Sequence, residues 1–91
     1  MNVQWTAKSL SDLERLHEFL APVNPRAAAK AVQAIVKGAG RLVEHPRIGE
    51  RLEHYEPREV RRILIGKYEL RYEICDSTIF VLRIWHTRED R

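Results

Sequence analysis

The stretch from residue 60 to residue 86, VRRILIGKYELRYEICDSTIFVLRIWH, contains three segments rich in β-branched and aromatic residues, separated by two short turns. In the middle segment, apolar and aromatic residues alternate with mostly charged ones. This alternation is typical of a β-strand with one buried and one exposed face. The two-residue turns, Gly66-Lys67 and Asp76-Ser77, suit antiparallel neighbours. The stretch therefore predicts a three-stranded antiparallel meander over residues 60–65, 68–75 and 78–85.

Two helices are predicted before the meander. Thr6 can cap a first helix whose leucines recur at helical spacing, and charged residues such as Asp12 lie mostly off that stripe. The leucines are Leu10, Leu13, Leu16 and Leu20. Asn24 and Pro25 suit the start of a second helix, in which the inner positions are Ala28, Ala31, Ile35, Ala39 and Leu42. A link of about five residues makes the two helices antiparallel neighbours.

The order of the elements indicates the fold class. Residues 3–5 form a short extended piece, the αα-hairpin follows, and the meander comes last. Segregated helices and strands are typical of α+β domains. With 91 residues, 44% of them hydrophobic, the chain is large enough for one core and too small for two. We therefore predict a single domain over residues 1–91, a two-layer α+β fold in which an N-terminal strand and an αα-hairpin pack on a small antiparallel β-sheet.

Several classes of function lack support in the sequence. No apolar stretch approaches the roughly 20 residues of a membrane span, and the N-terminus has no basic start followed by an apolar run. We therefore expect a cytoplasmic protein that does not bind a membrane. The sequence has a single cysteine, Cys75, and lacks a Gly-rich phosphate loop, an HExxH motif and a Cys/His pair at zinc spacing. We expect neither a metal nor another cofactor.

Basic residues concentrate around the meander. The formal net charge is only +3, yet residues 58–71 contain five basic and two acidic side chains. Cross-strand neighbours lie about 5 Å apart, so basic side chains on adjacent strands can converge. The candidate contact residues are Arg58, Arg61, Arg62, Arg71, Arg83, His86 and Arg88.

Three interpretations of this cluster are open at the level of the sequence. The arginines can form an exposed ion-pair lattice with Glu69 and Glu73. They can also dock an acidic partner. In the third interpretation the cluster is a metal-independent ribonuclease site, in which arginines bind phosphate and His86 transfers protons.

A series of short motifs runs along nearly the whole chain. The motifs are Trp5-Thr6, the leucine helix, Asn24-Pro25 with the alanine-rich helix, Leu42 before Pro46 and Gly49, Arg58 with Arg62, Tyr68-x-x-x-Tyr72, and His86-x-Arg88. In order and spacing they resemble the RelE/ParE superfamily of bacterial type II toxins. The resemblance implies a growth-inhibiting toxin and a cognate antitoxin. The antitoxin's C-terminal segment would wrap the toxin, while its N-terminal domain would dimerise and bind operator DNA.

Within this superfamily the chain is more similar to the ParE-like branch, which is associated with plasmid stabilisation and inhibition of DNA gyrase. Tyr68-Glu69-Leu70-Arg71-Tyr72 and Trp85-His86-Thr87-Arg88 carry this similarity. RelE-like ribonucleases tend to have Arg where Glu69 stands and often end in an aromatic residue, whereas this chain ends in Glu89-Asp90-Arg91. The resemblance therefore implies a toxin without catalytic residues that binds gyrase, traps its cleaved DNA intermediate and is neutralised by a ParD-like antitoxin.

The alternative is a ribosome-dependent mRNA endoribonuclease of the RelE type, with the ribosome and mRNA as targets. His86, Arg62 and Arg88 would then be its catalytic residues, because some nuclease members place a histidine near this position. In either case we expect the antitoxin to dock near the exposed flanks of the helical hairpin. The basic residues of that surface, Lys30, Lys37 and Arg41, would suit an acidic antitoxin.

Overall fold

The computed structural model describes residues 1–89 and confirms the α+β architecture. The helices are α1 (Ala7–Leu20) and α2 (Pro25–Gly40), and single 3₁₀ turns cover Arg41–Val43 and Glu53–Tyr55. The strands are β1 (Asn2–Trp5), β2 (Glu50–Arg51), β3 (Glu59–Ile65), β4 (Tyr68–Cys75) and β5 (Thr78–His86). They form one sheet in the order β1-β5-β4-β3-β2, and both helices pack on one of its faces.

Local signals start both helices at the predicted residues. The Thr6 hydroxyl accepts a hydrogen bond from Ser9 N at 3.2 Å, and the Asn24 side chain accepts one from Ala27 N at 3.1 Å. Each cap satisfies an amide that would otherwise lack a partner in the first turn. Pro25 occupies the first turn of α2, where its missing N–H costs nothing.

The core lies between the helices and the inner strands. Its buried residues are Leu16, Ile35, Ala39, Leu42, Ile65, Leu70, Tyr72, Ile74, Ile79, Val81 and Ile84. The buried side of α1 differs from the prediction, because Leu10 is 52% exposed whereas Asp12 is only 3% exposed. The reason is the position of α1 along β5, where Asp12 meets polar backbone groups as well as apolar side chains.

The sheet is mixed, although the prediction was antiparallel. The three-stranded meander is confirmed, with β3 to β5 antiparallel throughout. The N-terminal strand β1, however, pairs in parallel with β5, from Asn2 opposite Thr78 to Trp5 opposite Val81. The two-residue strand β2 adds to the other side of the sheet, in a segment for which no strand was predicted. Both outer strands are shorter than the inner strands that they cover.

Candidate functional site

Three of the candidate arginines form a row across the exposed face of the sheet. Arg62 in β3 is opposite Arg71 in β4, and Arg71 is opposite Arg83 in β5. These three residues are called the arginine row below. A register shift in β5 contributes to this alignment, because Arg71 is opposite Arg83 while Tyr72 is opposite Val81. The row lies on the face away from the helices, since Tyr72 on the alternate side belongs to the core.

Buried carboxylates bind every arginine of the row. Glu69 accepts hydrogen bonds from Arg62 Nη1 at 3.2 Å and from Arg71 Nη2 at 3.0 Å. Asp12 accepts one from Arg83 Nε at 2.8 Å. The guanidinium groups thereby compensate the burial of two carboxylates that would be costly alone. The arrangement is an ion-pair lattice, and its carboxylates are more buried than the sequence indicated.

Aromatic rings lie between the guanidinium groups. The Cζ atom of Arg71 is 4.7 Å from the centre of the Trp85 ring, and that of Arg83 is 5.0 Å from the same ring. Arg71 Nη1 also donates a hydrogen bond to the Tyr55 hydroxyl at 3.0 Å. Cation–π contacts of this kind contribute about 0.5–2 kcal/mol each. Ion pairs and rings together hold Arg71 and Arg83 in fixed orientations.

Arg58 continues this pattern at the margin of the sheet. Its Cζ atom is 5.9 Å from the centre of the Tyr55 ring. Its Nε and Nη2 atoms donate to the two carboxylate oxygens of Glu73 at 3.0 and 2.8 Å. These hydrogen bonds lower the pKa of Glu73 below its ordinary value, against the opposing effect of partial burial. Arg58 itself is exposed and lies where a partner can reach it.

Arg61 lies on the opposite face from the arginine row and fixes a loop. Its Nε atom donates to Glu59 at 2.9 Å, and its Nη1 atom donates to Gly49 O at 2.8 Å. The nearby Tyr72 hydroxyl donates to Pro46 O at 2.7 Å and accepts from Gly49 N at 3.0 Å. Burial raises the pKa of this hydroxyl. These contacts attach the loop before β2 to the sheet, which is a structural role.

His86 does not join the arginine row. It is opposite Tyr68, a residue that packs against the core, and it therefore points to the helix side of the sheet. Residues three apart in a strand point to opposite faces, which separates His86 from Arg83. The expected convergence of His86 with Arg62, Arg71 and Arg83 is therefore wrong.

His86 and Arg88 instead lie at a cavity of about 650 Å³ beneath the end of α1. The floor is largely apolar, from Leu16, Leu20 and Tyr68, and the basic side chains at the cavity include Lys67. The Tyr68 and His86 rings meet edge to face, with their centres 5.3 Å apart. The Nδ1 atom of His86 accepts a hydrogen bond from Arg88 N at 3.1 Å.

The structure identifies two important residues that the sequence analysis did not select. Asp12 Oδ2 accepts a hydrogen bond from Ile84 N at 2.8 Å, and Arg15 Nη2 donates one to Ile84 O at 3.2 Å. Thr6 N and Oγ1 both donate to Val81 O, at 3.2 and 2.7 Å. Asp12, Arg15 and the cap residue Thr6 thus provide hydrogen-bond partners for backbone groups of β5 where β1 ends. The signal in the sequence was the position of Asp12 one helical turn before the buried Leu16.

Burial and hydrogen bonding act in opposite directions on Asp12. Burial raises the pKa of its carboxyl group, but hydrogen bonds from Arg83, Ile84 and Arg15 outweigh this effect and lower the pKa below the ordinary value. The carboxylate is therefore charged at neutral pH. Charge on Asp12 matches its role as an acceptor for three donors.

Two further features bear on function. Among residues 1–89, no group of three or more His, Cys, Asp or Glu side chains could hold a metal ion. Within the same range, no helix is both long enough and apolar enough to span a membrane. Of the terminal motif Glu89-Asp90-Arg91, Asp90 and Arg91 lie outside the described residues.

Comparison with known proteins assigns the family. A sequence model of a protein family, described as the ParE toxin of the type II toxin-antitoxin system, parDE, matches residues 3–91. The chain belongs to the ParE toxin family. Toxin RelE2 of Caulobacter vibrioides is 30% identical over 84 residues, which are 92% of each chain. This protein is therefore a type II toxin of the RelE/ParE superfamily, as the sequence motifs implied.

Two solved structures share the fold. A chain of the chromosomal ParDE system of P. aeruginosa superimposes with a TM-score of 0.79 at 26% identity, over 94% of this chain and 95% of that one. A chain of the toxin-antitoxin complex RelBE2 of Mycobacterium tuberculosis gives a TM-score of 0.64 at 30% identity, over 93% and 95%. Names from both branches of the superfamily thus occur among the relatives of this ParE-family toxin.

Proposed function

We propose that this toxin inhibits growth in the cytoplasm by binding DNA gyrase, and that a ParD-like antitoxin neutralises it. The matching family model is that of ParE toxins, and the ParDE chain superimposes with a higher TM-score than the RelBE2 chain. Both solved relatives come from toxin-antitoxin systems, which supports an antitoxin as a partner of this chain. Gyrase as the target follows from the ParE-like branch that the sequence resembles.

The observation that carries this proposal is the separation of His86 from the arginine row. Cleavage of RNA without a metal needs a proton-transfer group and a free cation around one phosphate. Here the row lies on one face with each guanidinium bound to a carboxylate, and His86 lies on the other face. This placement favours a binding surface over a nuclease site.

A RelE-type ribonuclease is the second candidate. The observation in its favour is the cavity at His86, where Lys67 and Arg88 provide positive charge beside an imidazole. The name of the Caulobacter relative also belongs to that branch. Arg62 takes no part in this version of the site, because it lies in the arginine row on the other face.

Purified gyrase separates the two candidates. We expect added toxin to reduce ATP-dependent supercoiling of relaxed plasmid and to accumulate cleaved DNA. His86→Ala should still give this effect, at most at a higher toxin concentration, because one important contact in an interface contributes about 1–3 kcal/mol. Unchanged supercoiling at concentrations that bind antitoxin, together with mRNA cleavage on ribosomes that His86→Ala abolishes, would replace this proposal with the ribonuclease.

A further inference from the structure

The cavity beneath the end of α1, called the His86 cavity below, combines an apolar floor with an exposed apolar side chain. Leu16, Leu20 and Tyr68 supply the floor. Phe19 also lines the cavity, and it is 80% exposed. The volume of about 650 Å³ is in the range of cavities that hold a ligand. An exposed aromatic residue beside an apolar floor is typical of a surface that a partner covers.

Two cations at the His86 cavity have unused side chains. Neither Lys67 nor Arg88 forms an ion pair or a side-chain hydrogen bond among residues 1–89. Their hydrogen bonds come from backbone atoms, because Lys67 O accepts from Thr87 N at 2.8 Å and Arg88 N donates to His86 Nδ1 at 3.1 Å. Both side chains are exposed. They are therefore available for anionic groups of a partner.

The carboxylate at the cavity is already neutralised. Glu89 accepts hydrogen bonds from Arg15 Nη2 at 3.1 Å and from His86 N at 3.0 Å. Since the charges of Arg15 and Glu89 cancel, Lys67 and Arg88 leave the described lining with a formal charge of +2. The His86 cavity therefore attracts an anionic group.

His86 provides a directed donor in the same place. Because its Nδ1 atom accepts the hydrogen bond from Arg88 N, the proton of the neutral ring is on Nε2. The Nε2 atom has no acceptor among residues 1–89. The edge-to-face contact with Tyr68 holds the ring beside the apolar floor. A carboxylate or carbonyl oxygen of a partner can therefore accept a hydrogen bond from Nε2.

These features fit a protein segment better than nucleic acid. Proteins bind DNA mainly through many contacts between cations and phosphates. Within residues 1–89, the His86 cavity has only two free cations, Lys67 and Arg88, and its floor is apolar. A segment with an apolar side chain next to a carboxylate matches both parts, because the side chain fills the floor and the carboxylate reaches a cation.

We propose that this toxin contacts gyrase through the His86 cavity, which takes an acidic segment of gyrase with an apolar anchoring residue. The anchoring residue packs on Phe19 and Leu20, and the carboxylates contact Lys67 and Arg88. His86 donates a hydrogen bond to the segment and transfers no proton. This inference rests on the proposed function and adds the surface that binds the target.

The first test reverses a charge at the cavity. We expect Lys67→Glu to weaken binding of purified gyrase, loaded on linear duplex DNA, by about tenfold or more. Lys8→Glu, the same change at an exposed site at the other end of α1, should weaken it about twofold or less. Rising salt should weaken binding of wild type more steeply than binding of Lys67→Glu. Thermal unfolding of the free variants checks that they fold.

The second test removes an apolar contact and leaves the charges unchanged. Phe19→Ala should weaken gyrase binding by about tenfold, because a buried aromatic side chain is a common anchor of an interface. Leu10→Ala, at another exposed apolar position of the same helix, should weaken it about twofold or less. Since Phe19 is mostly exposed in the free toxin, its replacement should leave the fold intact.

The outcomes separate this inference from the proposed function. If wild type binds no gyrase, both fail. If wild type binds gyrase and both cavity variants bind equally well, the His86 cavity is not the contact, while gyrase remains the target. If Lys67→Glu weakens binding to the duplex alone by the same factor, the occupant is nucleic acid and this inference is overturned. Weaker gyrase binding by both cavity variants, with unchanged controls, supports it.

Discussion

The two sides of the sheet differ at the points where the outer strands end. At β5, beyond the last residue of β1, Asp12 and Arg15 of α1 bind the N–H and C=O of Ile84. At β3, beyond the last residue of β2, the backbone groups of Leu64 have no such partner among residues 1–89. One inner strand is thus completed by side chains of a helix, and the other is left accessible.

Chain connectivity explains the difference. Thr6 follows β1 directly and caps α1, so the first turns of the helix run along β5 where β1 stops. The segment before β2 instead turns away from β3 and is attached by Gly49 to Tyr72 and Arg61. A charged residue on the inner side of a helix can therefore replace a missing strand, and an edge without one is available for a partner.

The largest expected effect is at the completed edge. Asp12→Ala leaves the amide of Ile84 and the guanidinium of Arg83 without their acceptor, which should lower the free energy of unfolding by about 3 kcal/mol. Urea denaturation measures this loss. Glu18→Ala, an exposed site on the same helix, is the matched control and should change stability by about 0.5 kcal/mol or less. Equal effects of the two substitutions would mean that Asp12 does not support β5.

A methyl group at Gly49 should displace β2. A Cβ atom there would lie 2.7 Å from Arg62 O and 2.7 Å from the Tyr72 hydroxyl oxygen. The backbone of β3 at Arg62 cannot shift without disturbing the sheet. Gly49→Ala should therefore lower the free energy of unfolding by about 2 kcal/mol. Gly40→Ala, where nothing lies within 4 Å of the new atom, should stabilise α2 by about 0.5 kcal/mol. Thermal unfolding of both variants checks this, and a neutral Gly49→Ala would contradict the attachment of β2.

Acid should remove the contribution of Asp12 selectively. The pKa of Asp12 is lower in the folded protein than its ordinary value of 3.8. Its contribution to stability is therefore present above about pH 4 and is lost as the pH falls through the ordinary pKa toward the folded one. We expect wild type to be more stable than Asp12→Asn at pH 7, and this difference in the free energy of unfolding to decrease below about pH 4. A difference that does not change with pH would disprove this role.

The smallest expected effect on stability is at residues 63–65 of β3, the segment that β2 does not cover. Leu64→Lys places a charge on an exposed side chain and should change the free energy of unfolding by about 0.5 kcal/mol or less. The same charge should reduce self-association of free toxin at high concentration, because it blocks pairing between edges. Sedimentation velocity of wild type and variant measures this. Loss of stability like that of Asp12→Ala would show that residues 63–65 are not an exposed edge.

Local signals in the sequence were sufficient to predict the helices and the meander. Caps at Thr6 and Asn24, helical periodicity, and strict alternation in β4 all depend on neighbours in the chain. The hydrogen-bond partner of Asp12 could not be predicted in this way, because Ile84 is 72 residues away. Strand β2 was equally hidden, since two residues have no periodicity of their own.

The candidate site was predictable in composition but only partly in arrangement. The arginines of the row could be selected because they lie on three adjacent strands, and the structure brings Arg62, Arg71 and Arg83 together. The register shift in β5 and the buried partner of Arg83, Asp12, depend on contacts distant in sequence. Alternation along β5 alone should have placed His86 apart from Arg83.

Residue-resolved amide exchange of the free toxin compares the two edges directly. The Ile84 amide, bound by Asp12, should exchange only when the protein unfolds globally, whereas the outward Leu64 amide should exchange at least about a hundredfold faster. That result would establish one completed and one open edge in the same sheet. Equal protection of Ile84 and Leu64 would contradict it, because the Leu64 amide would then have a partner within the toxin itself.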